Sequence, residues 1–284
     1  MKMTRFAPSP TGLLHVGHAA SAWFTWDHAE RDPAQFILRL EDIDTTRCRP
    51  EYVQAILEDL QWLGISWTQP VRKQSEHFAE YQETLHKLDA MGVTYPCFCT
   101  RKEIEEEIAR APSAPHGPDG FLYPGTCRSL SASEQADKIA HGLPYAIRLD
   151  LSRALARTGA LRWHDLEAGW QEAQPEMLGD AVLARKDTPV SYHLCVTHDD
   201  ALQEISLVTR GADLFHATHL HRVLQALLGL PTPQYCHHPL LTGPDGKKFS
   251  KRNKDLTLCA VREKGFSAVE LQRMLRSNAI EKLI

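Results

Sequence analysis

TRFAPSPTGLLHVGHAASAWFTWDHAERDPAQFILRL, residues 4–40, carries the pattern that decides the fold. Thr4 to Ala7 reads as a short strand, and Pro8-Ser9-Pro10-Thr11-Gly12 then breaks regular structure. From about Gly17 to Glu30 the spacing turns helical, with Ala19, Ala22, Trp23 and Trp26 recurring on one face. Gln35 to Leu40 is a second strand, in which Phe36, Leu38 and Leu40 alternate against Gln35, Ile37 and Arg39. Strand, helix, strand is the unit of a parallel sheet, because parallel neighbours need a long crossover between them.

Downstream, Tyr52, Val53, Ile56, Leu57, Leu60 and Leu63 sit at helical spacing with Gly64 as a stop, and Phe78, Tyr81, Leu85 and Leu88 repeat the pattern up to Gly92. Between residues 95 and 130 cysteine, proline and glycine cluster around a short charged helix, Arg101 to Arg110. Ala111 to Gly120 is the nearest thing to a linker, and Ala146 to Leu151 alternates like a strand. Residues 180–215 read as strand and loop, and Leu220 to Leu228 as a helix ended by Gly229. No internal repeat is present. The organisation expected is a nucleotide-binding fold split by an insertion: a first half over 1–95, the insertion over 96–180, a second half over 181–252 and a short helical tail over 253–284.

The 284 residues are 43% hydrophobic and 24% charged, enough for a substantial core in one or two domains. No run of about eighteen apolar residues exists to span a membrane, and Met1 to Pro10 lacks the apolar stretch of a signal peptide. The expectation is a cytoplasmic protein with no membrane partner. The formal net charge of −4 means that any RNA contact has to come from a local basic patch. Seven cysteines, an odd number at uneven spacing, point to thiols and a metal site rather than a disulfide framework. Of these, Cys48, Cys195, Cys236 and Cys259 show no partner spacing and are expected to be buried thiols. His216, His219 and His221 lie close together, as do His237 and His238; a second metal site is the alternative there to the solvated or hydrogen-bonded role expected.

Two short motifs carry phosphate chemistry. His15-Val16-Gly17-His18 stands where a loop enters a helix, and a helix start offers unpaired N–H groups and a partial positive charge to an anion. His15 and His18 can share one face of the first turn, and Gly17 lets a nucleotide approach the backbone. Lys247-Lys248-Phe249-Ser250-Lys251-Arg252 follows the turn Gly243-Pro244-Asp245-Gly246 and would clamp a triphosphate, although such runs are usually solvated loops. Cys97, Cys99 and Cys127 supply three soft ligands for zinc; residue chemistry alone leaves the fourth open, with His116 the ordinary choice.

In this order, His15 to His18 and Lys248 to Arg252 resemble the paired signatures of class I aminoacyl-tRNA synthetases, written HIGH and KMSKS in one-letter code. Phe249 and Arg252 depart from the second signature, and neither removes the lysine expected at the pyrophosphate, Lys251. Arg5 to Gly12, Phe36 to Asp44, Tyr192-His193-Leu194, Asp199-Asp200 and Arg210 to Leu214 are similar to the glutamyl branch of that class. The resemblance runs from residue 4 to 252. It implies an α/β fold: a Rossmann-type parallel-sheet catalytic domain with a zinc-bearing α+β insertion of the acceptor-binding type.

The resemblance also implies roles. ATP would meet His15, Gly17, His18, Lys248 and Lys251, with His15, His18 and Lys251 catalytic and Mg²⁺ accompanying the nucleotide. Glutamate would meet Arg5, Ala7, Ser9, Glu41, Tyr192 and Arg210. The chemistry agrees, since arginine forks pair with carboxylates and Glu41 can receive the ammonium. Without the surrounding motifs Glu41 and Arg210 would read as surface ion pairs. Tyr123-Pro124-Gly125-Thr126-Cys127 resembles the Tyr-x-x-x-Cys half of a zinc site in short glutamyl-type synthetases, which implies Tyr123 as the fourth ligand. Residues 253–284 are too few for the anticodon-binding domain of glutamyl-tRNA synthetases. The chain therefore resembles the truncated branch, the glutamyl-Q tRNA(Asp) synthetase family. That implies a monomer that activates L-glutamate with ATP, independently of tRNA, and passes it to queuosine in tRNA(Asp). Three alternatives stay open: a minimal synthetase charging a tRNA 3′ end, one that prefers glutamine, and a catalytically silent RNA-binding paralogue.

Overall fold

The computed structural model describes residues 1–110, 116–118, 120–241 and 256–277, the side chains at 109, 110, 116, 117 and 121 excepted. The opening segment forms β1 (Lys2–Phe6), α1 (Val16–Arg31) and β2 (Ala34–Leu40), with β1 and β2 paired in parallel from Lys2↔Ala34 to Phe6↔Leu38. α2 (Pro50–Trp62) brings the chain back to β3 (Thr68–Lys73), parallel to β2. Pro50 suits a helix start because its missing N–H would have had no helical partner. Gly64, at φ +76, makes the turn that ends α2.

α3 (Phe78–Ala90) leads into β4 (Thr94–Cys97), followed by α4 (Arg101–Arg110), the two-residue strands β5 (His116–Gly117) and β6 (Gly120–Phe121), and α5 (Ala132–Ala140). Then come β7 (Ala146–Leu149), α6 (Leu151–Thr158), the hairpin β8 (Arg162–Asp165) and β9 (Gly169–Glu172), and β10 (Val182–Ala184). β4, β7 and β10 form a separate antiparallel sheet. α7 (Tyr192–Leu202), β11 (Leu207–Gly211), α8 (Ala217–Leu228) and β12 (Gln234–His238) complete the centre, and α9 (Leu258–Glu263) and α10 (Ala268–Arg276) follow.

The main sheet has the order β3-β2-β1-β11-β12-β8-β9, parallel throughout except for the edge strand β9. Its parallel strands and flanking helices make the α/β, Rossmann-like fold expected from residues 4–40. The order reverses between β1 and β11: one continues outward to β2 through α1, the other to β12 through α8. A crevice at the carboxyl ends of such strands is where doubly wound folds bind ligands. One face of the sheet is closed by Leu14, Val16, Trp23, Leu38, Ile56 and Leu60, and Leu258, Val261 and Leu271 of the last two helices join the same core.

Three readings change. Residues 180–215 were expected to hold strand and loop, yet Tyr192 to Leu202 is helical. Leu194, Cys195, Val196, Thr197, Asp199 and Asp200 are all buried there, so the helix is enclosed and shows no polar face for periodicity to detect. Residues 162–172, expected inside the 96–180 insertion, form β8 and β9 and pair onto the edge of the main sheet through Tyr235↔Asp165. Cys48 and Cys259, expected to be buried, are only half-buried, whereas Cys195 and Cys236 are enclosed.

Candidate active site

A cavity of about 930 Å³ opens at the strand-order reversal, lined by Arg5, Phe6 and Ala7 from the end of β1 and by Thr209, Arg210 and Gly211 from the end of β11. His15, Gly17 and His18 enter it from the start of α1, and Ser9, Glu41 and Tyr192 complete the expected set. A smaller cavity of about 320 Å³ shares Ser9, Glu41 and Tyr192 with the first and adds Arg47 and Arg185. Lys248 and Lys251 lie outside the described residues.

The start of α1 is capped by its own histidines. His15 Nδ1 accepts the Gly17 backbone N–H at 3.1 Å, and His18 Nδ1 accepts the His15 backbone N–H at 3.1 Å. An imidazole nitrogen that accepts carries no proton, so each neutral ring holds its proton on Nε2, from which it can donate to an anion. The rings lie against each other with centroids 3.8 Å apart. Gly17 leaves room for this ring: a Cβ there would stand 2.9 Å from His15 Cε1, so the imidazole would have to move off its cap.

Behind the cavity floor runs a buried charge network. Arg5 Nε donates to Asp200 Oδ1 at 2.9 Å, and Arg39 Nη2 donates to the same oxygen at 2.8 Å and to Glu41 Oε1 at 3.2 Å. Arg72 donates to Asp199 at 2.9 Å, with Gln74 at 2.8 Å and Tyr81 at 3.0 Å on the same carboxylate. Burial opposes the charge on Asp200, but Arg5 and Arg39 hold its carboxyl below the usual range. At Glu41 burial wins over Arg39 and Arg5 and pushes the carboxyl up. An arriving cation would offset that cost.

Arg210 is different. It is 6% exposed, and no carboxylate pairs with it among the described residues. Its donors go to neutral acceptors instead: Nε to His237 Nε2 at 3.0 Å, Nη1 to His221 Nδ1 at 3.3 Å and Nη2 to Thr218 Oγ1 at 2.5 Å. Burial, then Arg210 itself, lowers His237 to about 4 and His221 well below its usual value. Both rings are uncharged near neutrality, and the guanidinium faces the cavity with its charge unmatched.

About the insertion's sheet, Cys97, Cys99 and Cys127 place their sulfurs within 4.8 Å of one another. Cys99 Sγ stands 3.4 Å from Cys127 Sγ and 3.5 Å from the Tyr123 hydroxyl oxygen. That oxygen also accepts the Cys127 backbone N–H at 2.9 Å. A tetrahedral zinc with about 2.3 Å bonds to sulfur separates its ligands by roughly 3.8 Å, so the donor set fits such an ion. His116 belongs to β5, where only the backbone is described.

Residues 2–281 match the family model described as tRNA synthetases class I (E and Q), catalytic domain. The chain belongs to that family. Such proteins are ligases. Among the relatives, a glutamyl-Q tRNA(Asp) synthetase of Rhodobacter capsulatus is 43% identical over 96% of this chain and 99% of its own. A glutamate–tRNA ligase of Aquifex aeolicus is 38% identical over 93% of this chain and 54% of its own. Among solved structures, a glutamate tRNA ligase of Elizabethkingia meningosepticum in complex with its amino acid superposes with a TM-score of 0.74 at 28% identity, over 89% of this chain and 52% of that one. The chain thus spans about half the length of these glutamate–tRNA ligases.

Sequence reasoning missed the groups behind the site: Arg39 and Asp165 drew no functional reading of their own, and His221 and His237, expected to be solvated or hydrogen-bonded, are hydrogen-bonded to Arg210. Arg39 alternates with Phe36, Leu38 and Leu40 as a solvent-facing residue would, yet it is 0% exposed, because β2 is covered on both faces. The spacing of the histidines gave no sign that α8 and β12 would converge on one guanidinium.

Proposed function

We propose that this chain activates L-glutamate with ATP to glutamyl-adenylate, without needing tRNA, and transfers the glutamyl group to queuosine at the wobble position of tRNA(Asp). One observation carries the first step. A single cavity joins a helix start to two buried guanidiniums, one of them without a carboxylate partner, and to a buried carboxylate whose charge is costly. A substrate with two carboxylates and an ammonium matches that set: Arg5 and Arg210 take the anionic ends, Glu41 takes the ammonium, and Ser9, Tyr192 and the Ala7 backbone shape the walls.

The glutamate α-carboxylate is the nucleophile toward the α-phosphate, and pyrophosphate leaves. No general base is needed, because a carboxylate is already deprotonated near neutrality. His15 and His18 donate from Nε2 to phosphate oxygens at the helix start, with Gly17 beneath them, and Lys248 and Lys251 take the β- and γ-phosphates. Magnesium arriving with ATP supplies further positive charge. Positioning and charge stabilisation supply the acceleration. A hydroxyl of the queuosine ring then attacks the activated carbonyl, approaching through the smaller cavity beside Glu41 and Tyr192; the acyl–phosphate bond breaks, and AMP leaves with the hydroxyl proton on its phosphate. The queuosine acceptor rests on similarity to the Rhodobacter capsulatus relative, which the chain matches nearly end to end.

Cys97, Cys99, Tyr123 and Cys127 would hold a structural zinc ion. The Arg148 guanidinium packs 3.9 Å over the Tyr123 ring and holds it beside the three sulfurs. The enzyme would act as a monomer in the cytoplasm.

The test has two parts. Glutamate-dependent ATP–pyrophosphate exchange is measured with no RNA present; no exchange with zinc and magnesium supplied refutes activation. Charging of tRNA(Asp) is then compared with and without queuosine. Equal charging of both, removed by periodate cleavage of the 3′ diol while the queuosine diol is protected, points to a terminal acceptor instead.

A further inference from the structure

Behind Arg210 the hydrogen bonds form one directional chain. Asp165 Oδ2 accepts from His237 Nδ1 at 2.7 Å and from the His237 backbone N–H at 3.3 Å. His237 Nε2 accepts from Arg210 Nε at 3.0 Å. On the other side Arg210 Nη1 meets His221 Nδ1 at 3.3 Å, and His221 Nε2 meets His193 Nδ1 at 3.1 Å. A guanidinium only donates, so every proton position follows. His237 carries its proton on Nδ1 toward Asp165, and His221 carries its proton on Nε2 toward His193. Neither ring can add a second proton without turning a donor against Arg210.

Asp165 fixes this direction from a rigid place. Its other oxygen, Oδ1, accepts the backbone N–H groups of Glu167 at 3.0 Å and Ala168 at 2.9 Å, which shape the turn between β8 and β9. Asp165 is 1% exposed and His237 is 7% exposed. Trp163 packs edge-on against the His237 ring, with centroids 5.9 Å apart.

We propose that Asp165 and His237 are positioning residues for substrate binding: together they hold Arg210 in one orientation, without neutralising it, so that a substrate carboxylate becomes its only charged partner. A carboxylate placed directly on Arg210 would orient it equally well but would cancel the charge the substrate needs. A histidine in between passes on the orientation and keeps the carboxylate one ring away. The role rests on the glutamate-binding reading above.

Asp165→Asn tests it. The two turn N–H groups keep the amide oxygen, so the amide NH2 faces His237 and forces the proton from Nδ1 to Nε2. Nε2–H then opposes Arg210 Nε–H, donor against donor. Losing one hydrogen bond to a charged group corresponds to about a tenfold change or somewhat more. In the pyrophosphate exchange assay the glutamate KM is expected to rise about tenfold, with kcat and the ATP KM within about twofold of the wild type; because the amide NH2 also faces the His237 backbone N–H, the melting temperature should fall by a few degrees. His237→Phe, which removes the acceptor without touching the hairpin turn, should reproduce the rise. An unchanged glutamate KM in both variants overturns the proposal. So does a parallel loss of glutamate affinity, ATP affinity and thermal stability, which would mean that the pair acts through folding alone. If the wild type itself shows no glutamate-dependent exchange, the glutamate reading fails and takes this inference with it. A wild type that exchanges beside unaffected variants removes only the inference.

Discussion

Asp200→Asn is the sharpest probe of the charge network. Asp200 accepts from Arg5 Nε at 2.9 Å, from Arg5 Nη2 at 3.4 Å and from Arg39 Nη2 at 2.8 Å, and all three side chains are nearly enclosed. An asparagine offers one accepting oxygen and turns its NH2 toward a guanidinium. At least one charge-assisted bond is lost, and a buried cation loses its match. Removing one partner of a buried pair costs about 3–5 kcal/mol. At roughly 2 °C per kcal/mol for a chain of this size, the melting temperature should fall by roughly 6–10 °C. Unfolding in urea, followed by the fluorescence of the buried Trp23 and Trp163, measures the loss, and the exchange assay should show a raised glutamate KM because Arg5 is released. The pH dependence fixes the cause. Arg5 and Arg39 lower the folded carboxyl of Asp200, so its contribution is fully present above the unfolded value of about 4 and fades as pH falls through the lower folded value. A loss under about 1 kcal/mol at pH 7, or a wild-type advantage that persists unchanged to pH 3, would refute the reasoning.

Gly17→Ala should push the His15 ring off its cap, since the new Cβ would sit 2.9 Å from Cε1; exchange is expected to slow about 10–100-fold while the melt moves only a few degrees. Asp59 is buried against Arg262 at 2.7 Å, and burial pushes its carboxyl up to about 6. The native state therefore binds more protons than the unfolded one between about pH 4 and 6, and stability falls as pH rises through that window, by an amount on the order of 2 kcal/mol. Asp59→Asn should flatten this slope in urea midpoints taken across the window; an unchanged slope would rule the residue out. Elemental analysis should find about one zinc per chain and far less in Cys127→Ser, and a zinc-free wild type that melts at the same temperature as the loaded protein would reject a structural metal.

Residues 4–40 gave away the parallel sheet because two different periods, two for strands and 3.6 for the helix, stand side by side there with a breaker between them. The helix Ala217–Leu228 was legible for the same reason, with Gly229 at φ +65 marking its end. Tyr192–Leu202 was not, because an enclosed helix that carries Asp199 and Asp200 inward looks neither amphipathic nor apolar. The cavity-facing residues could be named from motifs, since ligand chemistry restricts residue type at each place. Their supports could not. Whether Arg39 faces solvent depends on a second layer packing over β2, and whether His237 meets Asp165 depends on a hairpin that joins the sheet 72 residues earlier in the chain. Such pairings follow from topology, which local pattern does not encode.

The strand order also sets a timetable for folding. β1 can find β2 as soon as α1 has formed, but its other neighbour, β11, pairs through Thr4↔Leu207 and is made last but one among the strands of the main sheet. Arg5 and Arg210 flank that seam. A nascent chain therefore exposes one edge of its central strand until most of synthesis is over, and contacts so distant in sequence close slowly. The substrate crevice is among the last parts of the sheet to be assembled, so a ligand that bridges both arginines would hold the seam shut and, by binding, favour the fully paired sheet.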